Sequence, residues 1–179
     1  GATDYQGTTL ETVTWATALL AVTKRITVFG TVHAPIFNPV VAAKEMVTAD
    51  HVGEGRFGLN IVVGWNEGEF DMFGVEQRAH EQRYEYAQEW IDVIKLIWSD
   101  RDHFDYEGEF LKLKSVRAYP KPYGGTPPPI MNAGASPTGR AFAVRNCDAF
   151  FMQASRVSVE ETAQRVAEVK AEAAGHSRD

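Results

Sequence analysis

Apolar and polar positions along this chain switch repeatedly between a helical and a strand period. Thr8 and Glu11 are spaced as a capping box ahead of TLETVTWATALLAVT, which predicts a helix ending near Lys24. ITVFGTV (26–32) is short and β-branched and predicts a strand. Asn38-Pro39 supplies an N-cap and a first-turn proline for a helix over VVAAKEMVTADHV that stops at Gly53. RFGLNIVV (56–63) predicts the next strand, followed by a loop. In 81–98 the apolar residues Ala87, Trp90, Ile91, Ile94, Ile97 and Trp98 recur at helical spacing, so a long amphipathic helix is expected. HFDYEGEFLKLKS (103–115) reads as a hairpin turning near Glu107-Gly108, and YPKPYGGTPPP (119–129) as a surface linker. Strand 130–134, helix 136–146, strand 148–153 and helix 159–175 complete the pattern.

Helices and strands that alternate in this way predict a parallel sheet with right-handed crossovers. In strand 56–63, Phe57, Leu59, Ile61 and Val63 share one face, while Gly58, Asn60, Val62 and Gly64 share the other. In strand 26–32, Ile26, Val28, Gly30 and Val32 oppose Thr27, Phe29, Thr31 and the following His33. One face is apolar and the other small, mixed and partly polar. A doubly wound sheet needs both faces apolar, whereas a (β/α)8 barrel accepts polar residues inside near the C-terminal ends of its strands. The expected fold class is therefore α/β: a partial (β/α)8 TIM barrel, with about four parallel strands, flanking helices and a small β-hairpin insertion. A complete barrel takes eight strands and about 250 residues. Residues 1–179 are thus expected to form a single domain, the central part of a barrel truncated at both ends.

Composition narrows the partners. The formal net charge is −6, and Lys and Arg form no run, which argues against nucleic acid or an anionic membrane as a general partner. No apolar run approaches the roughly 20 residues of a membrane span, and no signal-peptide pattern is present. The one cysteine, Cys147, permits no internal disulfide, reads as a small core residue and fits a cytoplasmic location. His33, His51, His80, His103 and His176 are scattered without metal-ligand spacing, and there is no P-loop or GxSxG elbow.

The candidate chemistry gathers where strands end. Thr31 and Asn60 occupy matching late positions on the inferred inner face, either as a satisfied core pair or as a pair holding a polar ligand. His33 lies one inward step beyond Thr31. Past Gly64 come Trp65, Glu67 and Glu69; Glu67 reads as solvated charge, and Glu69 as either that or a ligand contact. Arg83 and Tyr84 sit at the start of the long helix, where an anion is favoured, although Arg83 could simply pair with Glu81 or Glu85. AGAS (133–136) joins a strand to a helix, with Ser136 either a plain cap or a phosphate contact.

GRFGLNIVVGWNEGEFDMFG, with TVHAPIFNPVVAAKEMVTADHVGEG before it and RYEYAQEW after it, resembles the bacterial-luciferase-like flavin monooxygenases. The resemblance is to their alkanesulfonate, dimethylsulfone and pyrimidine branch. It runs over essentially the whole chain and includes YEGEFLKLK and PPPIMNAGAS. It implies FMN at the barrel mouth, with Asn60, Glu69, Arg83, Tyr84 and Ser136 as flavin-binding positions. It also implies Thr31 and Asn60 as the pair beside O2, with His33 next to them as a third catalytic position. The implied enzyme is two-component: an NAD(P)H:FMN reductase supplies reduced FMN, and O2 is used to oxidise a small organosulfur or heterocyclic substrate with C–S or C–N cleavage. A homo-oligomer is implied as well. Hydride transfer with the deazaflavin F420, or a non-catalytic flavin-binding half-barrel, are the alternative readings.

Relative to that family the first two and last two strands are missing, together with an early lysine-bearing flavin contact and downstream arginines. The expectation is that residues 1–179 by themselves do not complete an active site. Turnover by the isolated chain, supplied with FMN and a reductase, would refute it.

Overall fold

In the computed structural model, residues 8–64, 66–152 and 157–175 are described. Helix α1 (Thr12–Val22) leads to strand β1 (Val28–His33), α2 (Pro39–Val52) and β2 (Phe57–Val62). A short α3 (Glu67–Phe73) precedes the long α4 (His80–Trp98). The hairpin β3 (His103–Glu107) and β4 (Lys112–Arg117) follows, then β5 (Ile130–Asn132), α5 (Pro137–Asn146), β6 (Ala149–Phe150) and α6 (Val159–Gly175).

The four parallel strands lie in the order β1-β2-β5-β6, with β3-β4 as a separate antiparallel pair. Spatial order follows chain order without reversal, so the sheet is singly wound and its helices collect on one face. A doubly wound sheet would reverse at a switch point. The outward residues Phe57, Leu59 and Ile61 are fully buried with Met46, Trp90, Ile91 and Ile94 of the helix layer. The opposite residues Phe29, Thr31, His33, Asn60 and Val62 are only half-buried. This is an arc of a (β/α)8 barrel whose lumen side is open, as the alternation within the strands predicts.

Local chemistry accounts for the helix ends and for several departures. Asn38 caps α2 by accepting from Val40 N at 2.9 Å, as expected. The capping box does not form: α1 starts at Thr12, and Glu11 itself is the cap, accepting from Val13 N at 3.0 Å and Thr14 N at 2.7 Å. Partial burial works to raise the Glu11 carboxyl, but those N–H groups outweigh it and leave it below the ordinary carboxylate range. The expected loop after β2 contains α3, capped by Asn66 and ended by Gly74 in the left-handed region. Seven residues are too few to show a helical period in the sequence. Strand 130–134 is shorter than expected, because the chain turns after Asn132. The strand expected at 148–153 is reduced to Ala149–Phe150, and residue 153 lies outside the described residues.

The proline-rich linker runs mostly on the surface, with Pro122 and Pro128 buried. It is tied down by Asp50, whose Oδ2 accepts from Tyr123 N at 2.8 Å. Burial raises the Asp50 carboxyl above its usual range against the pull of that hydrogen bond. The hairpin is fastened to the helix layer by Glu89 of α4. Its carboxylate accepts from Glu109 N (2.7 Å), Phe110 N (3.0 Å) and Leu111 N (2.9 Å). Three consecutive donors that would otherwise need water are met by one side chain. Glu89→Ala should therefore cost about 1–3 kcal/mol in thermal or denaturant unfolding. It should also release amide protection first at 109–111 in hydrogen exchange; an unchanged exchange pattern there would contradict the role given to Glu89.

Candidate functional site

Two groups of side chains meet at the C-terminal ends of the strands. The first is built by strand register. β1 and β2 pair in parallel with Thr31 opposite Asn60, and Asn60 Nδ2 donates to Thr31 Oγ1 at 3.1 Å. Asn60 Oδ1 is buried and has no hydrogen-bond partner among the described residues. The pair is thus half satisfied: the Thr31 hydroxyl accepts from the amide, while the amide oxygen is left over. An unpaired buried oxygen of this kind costs about 1–3 kcal/mol. Two positions beyond Thr31, His33 ends β1 with Nδ1 at 3.3 Å from Oε2 of Glu69 on α3.

The second group lines a cleft of about 480 Å³. It is formed by the end of β2 from Ile61 to Gly64, the first turn of α4, and the turn after β5 from Asn132 to Ser136. Gly64 (φ +86°) turns the chain at the end of β2, where a Cβ would run into the Phe70 ring. Its carbonyl accepts from Arg83 Nη1, while Arg83 Nε is buried and has no hydrogen-bond partner among the described residues. Arg83 forms no ion pair with Glu81 or Glu85, so the simple surface pairing allowed by the sequence does not occur. The Tyr84 ring packs on Phe142, with centroids 5.7 Å apart. Its hydroxyl leans over Gly134 and Gly139, where a Cβ would lie 3.0 and 2.6 Å from it. Ser136 caps α5, its Oγ accepting from Gly139 N at 3.0 Å. Its second hydrogen-bond contact is a long one, to His80 Nε2 at 3.4 Å.

The structure brings Thr31, Asn60, His33 and Glu69 into one group and Arg83, Tyr84 and Ser136 into the other. Glu69 faces His33 and does not line the cleft. Glu67 is exposed, in keeping with solvated charge. Trp65, which follows Gly64 in the candidate stretch, lies outside the described residues. Two cleft residues escaped the sequence reading. Buried Asn132 holds the turn, donating to Ile61 O at 2.7 Å and accepting from Gly134 N at 2.8 Å. His80 Nε2 lies 3.4 Å from Ser136 Oγ, and its ring is 5.2 Å from that of Tyr84. The signal for His80 was its spacing: 80, 83 and 84 share a helix face. Starting the helix at 81 hid it.

The luciferase-like monooxygenase family model matches residues 2–179, and the chain belongs to that family. It is 34% identical over 169 residues to the FMNH(2)-dependent dimethylsulfone monooxygenase of Pseudomonas putida, covering 93% of this chain and 46% of that protein. It is 31% identical over 150 residues to the pyrimidine monooxygenase RutA of Enterobacter sp. (strain 638), covering 83% of this chain and 40% of the relative. The chain thus spans less than half the length of these relatives. Among solved structures it resembles riboflavin lyase (RcaE), seen with modified FMN and riboflavin, at TM-score 0.86 and 26% identity, covering 96% of this chain and 42% of that one. DmoA from Hyphomicrobium sulfonivorans shares the fold at TM-score 0.85 and 24% identity, over 97% of this chain and 41% of its own.

The open Asn60 oxygen separates a structural amide from one kept for a ligand. Asn60→Leu should leave unfolding stability within about 1 kcal/mol of wild type, since the lost hydrogen bond is offset by removing an unpaired oxygen. A loss of roughly 3 kcal/mol or more in denaturant unfolding would mark Asn60 as a core polar residue instead.

Proposed function

We propose that this chain is the central, flavin-holding part of a two-component monooxygenase. In this reading the enzyme uses reduced FMN and O2 to oxidise a small organosulfur or heterocyclic substrate, cleaving a C–S or C–N bond. The observation that carries the reading is convergence: Arg83, Tyr84 and Ser136 meet in one cleft at the C-terminal ends of parallel strands, the face on which barrel active sites lie. The family and the monooxygenase activities of the two relatives support it.

The residues fit FMN. The cleft is of cofactor size. Small residues Ala133, Gly134 and Ala135 allow close backbone approach beside the N-terminus of α5, where an anion is favoured. Arg83 adds a cation whose Nε has no hydrogen-bond partner among the described residues. In this reading Ser136, Arg83 and Tyr84 hold the phosphate end. Asn60 and Glu69 contact the ring system. Thr31 and Asn60 orient O2 on the lumen face, and His33 stands beside them. Reduced FMN would supply the electrons for O2 activation, chemistry that side chains lack. The protein's own work is to orient the reactants and to keep water from them, which needs the barrel closed over the open inner face.

The reductase partner, the homo-oligomeric state and the cytoplasmic location belong to the same proposal. Among the described residues no helix is long and apolar enough to cross a membrane.

A phosphate contact can be told from a ring contact. Ser136→Ala, in the protein expressed from its full reading frame, should weaken FMN binding by about tenfold, or 1.4 kcal/mol. Riboflavin, which lacks the phosphate, should bind as before. Fluorescence titrations with both flavins check this, and equal weakening would remove Ser136 from the phosphate site.

A further inference from the structure

His33 closes β1 on the same face as Thr31, and Glu69 reaches it from α3. Nδ1 and Oε2 are both buried, lie 3.3 Å apart, and form no hydrogen bond in this geometry. The two side chains nonetheless keep 27% and 33% of their surface. With Nδ1 buried, the exposed surface of His33 belongs to the rest of the side chain, which the strand period puts on the same face as Thr31.

A buried Nδ1 against a carboxylate has two options. It can carry the ring hydrogen and point it at Oε2, or it can turn a lone pair towards a second acceptor. The first is attractive and the second repulsive, and in a site closed to water the difference is large. A neutral imidazole carries one hydrogen, so Nε2 is then left with its lone pair free.

We propose that Glu69 is a positioning residue. It fixes His33 in the Nδ1–H tautomer, so that Nε2 is presented as an acceptor to an N–H or O–H group of a ligand on the inner face. A proton taken up there from that group would leave an imidazolium already paired with the Glu69 carboxylate. The proposal rests on the reading that the inner face holds the reacting ligand.

The other charged groups nearby are engaged elsewhere or point away. From α4, Arg83 donates to the Gly64 carbonyl, and His80 faces Ser136 and Glu81. On α3, Glu67 and Asp71 are exposed and make no ion pair among the described residues. From β2, the neutral Asn60 donates to Thr31. Glu69 is the carboxylate that meets His33.

The test is nitrogen NMR of the full-length protein labelled in histidine, at alkaline pH where imidazoles are neutral, with His33 assigned through H33Q. In the wild type the His33 Nδ1 should show the N–H signature and Nε2 the bare-nitrogen signature. In Glu69→Ala the two signatures should exchange, giving the Nε2–H form that the free side chain prefers. Glu69→Gln keeps an acceptor oxygen and should retain the wild-type pattern. A wild-type His33 in the Nε2–H form, or an unchanged pattern in Glu69→Ala, overturns the proposal. FMN titration of the same samples keeps the two readings apart: a wild-type protein that binds no FMN sinks the flavin assignment and leaves the tautomer result standing.

Discussion

The parallel pairing of β1 with β2, backed on one side only by helices, is the constraint on which the rest of the molecule depends. Because the strands run in chain order, every crossover helix falls on the same face. That face excludes water and takes Phe57, Leu59, Ile61 and Val32. The period of two then sends their neighbours to the other face, where Thr31 and Asn60 become register partners. No separate device is needed to assemble the polar pair. It follows from the hydrophobic effect acting on the alternate residues of the same strands.

The strand ends are finished by side chains that satisfy backbone groups, and these same side chains shape the cleft. Asn132 bridges the Ile61 carbonyl of β2 and the Gly134 amide after β5, so neighbouring strands end together. Arg83 holds the Gly64 carbonyl, which ties the first turn of α4 to the end of β2. Ser136 starts α5, and Glu89 does the equivalent for the hairpin at a distance from the cleft. Each contact replaces a water that a loop backbone would otherwise require. The cleft wall is thereby set by helix and strand positions rather than by a free loop.

Against this economy stand two buried atoms without a hydrogen bond among the described residues, Asn60 Oδ1 and Arg83 Nε, beside the facing pair His33 Nδ1 and Glu69 Oε2 at 3.3 Å. Native interiors seldom leave such groups unmet, and their occurrence at the strand ends is in keeping with the proposed ligand site. The open lumen face and the terminal places of β1 and β6 in the sheet order belong with the same observation. Closed barrels have no edges, and the relatives that share this fold are more than twice as long.

The sequence by itself determined the element order, the two faces of each strand and hence the barrel class, since periods of two and 3.6 are written residue by residue. It also marked Thr31 and Asn60, as polar residues late on the inner face of their strands, and Arg83, Tyr84 and Ser136, as polar residues at helix starts. It did not show α3, which is too short to display a period, nor Glu11 as a cap, which depends on where the helix starts. His80 stayed hidden for the same reason, one residue outside the predicted helix. Only the tertiary structure decided that Glu69 turns to His33 and that Arg83 chooses a carbonyl over a carboxylate. These are contacts between residues 36 and 19 positions apart respectively, set by the packing of α3 and α4 on the strand ends, and no local pattern encodes them.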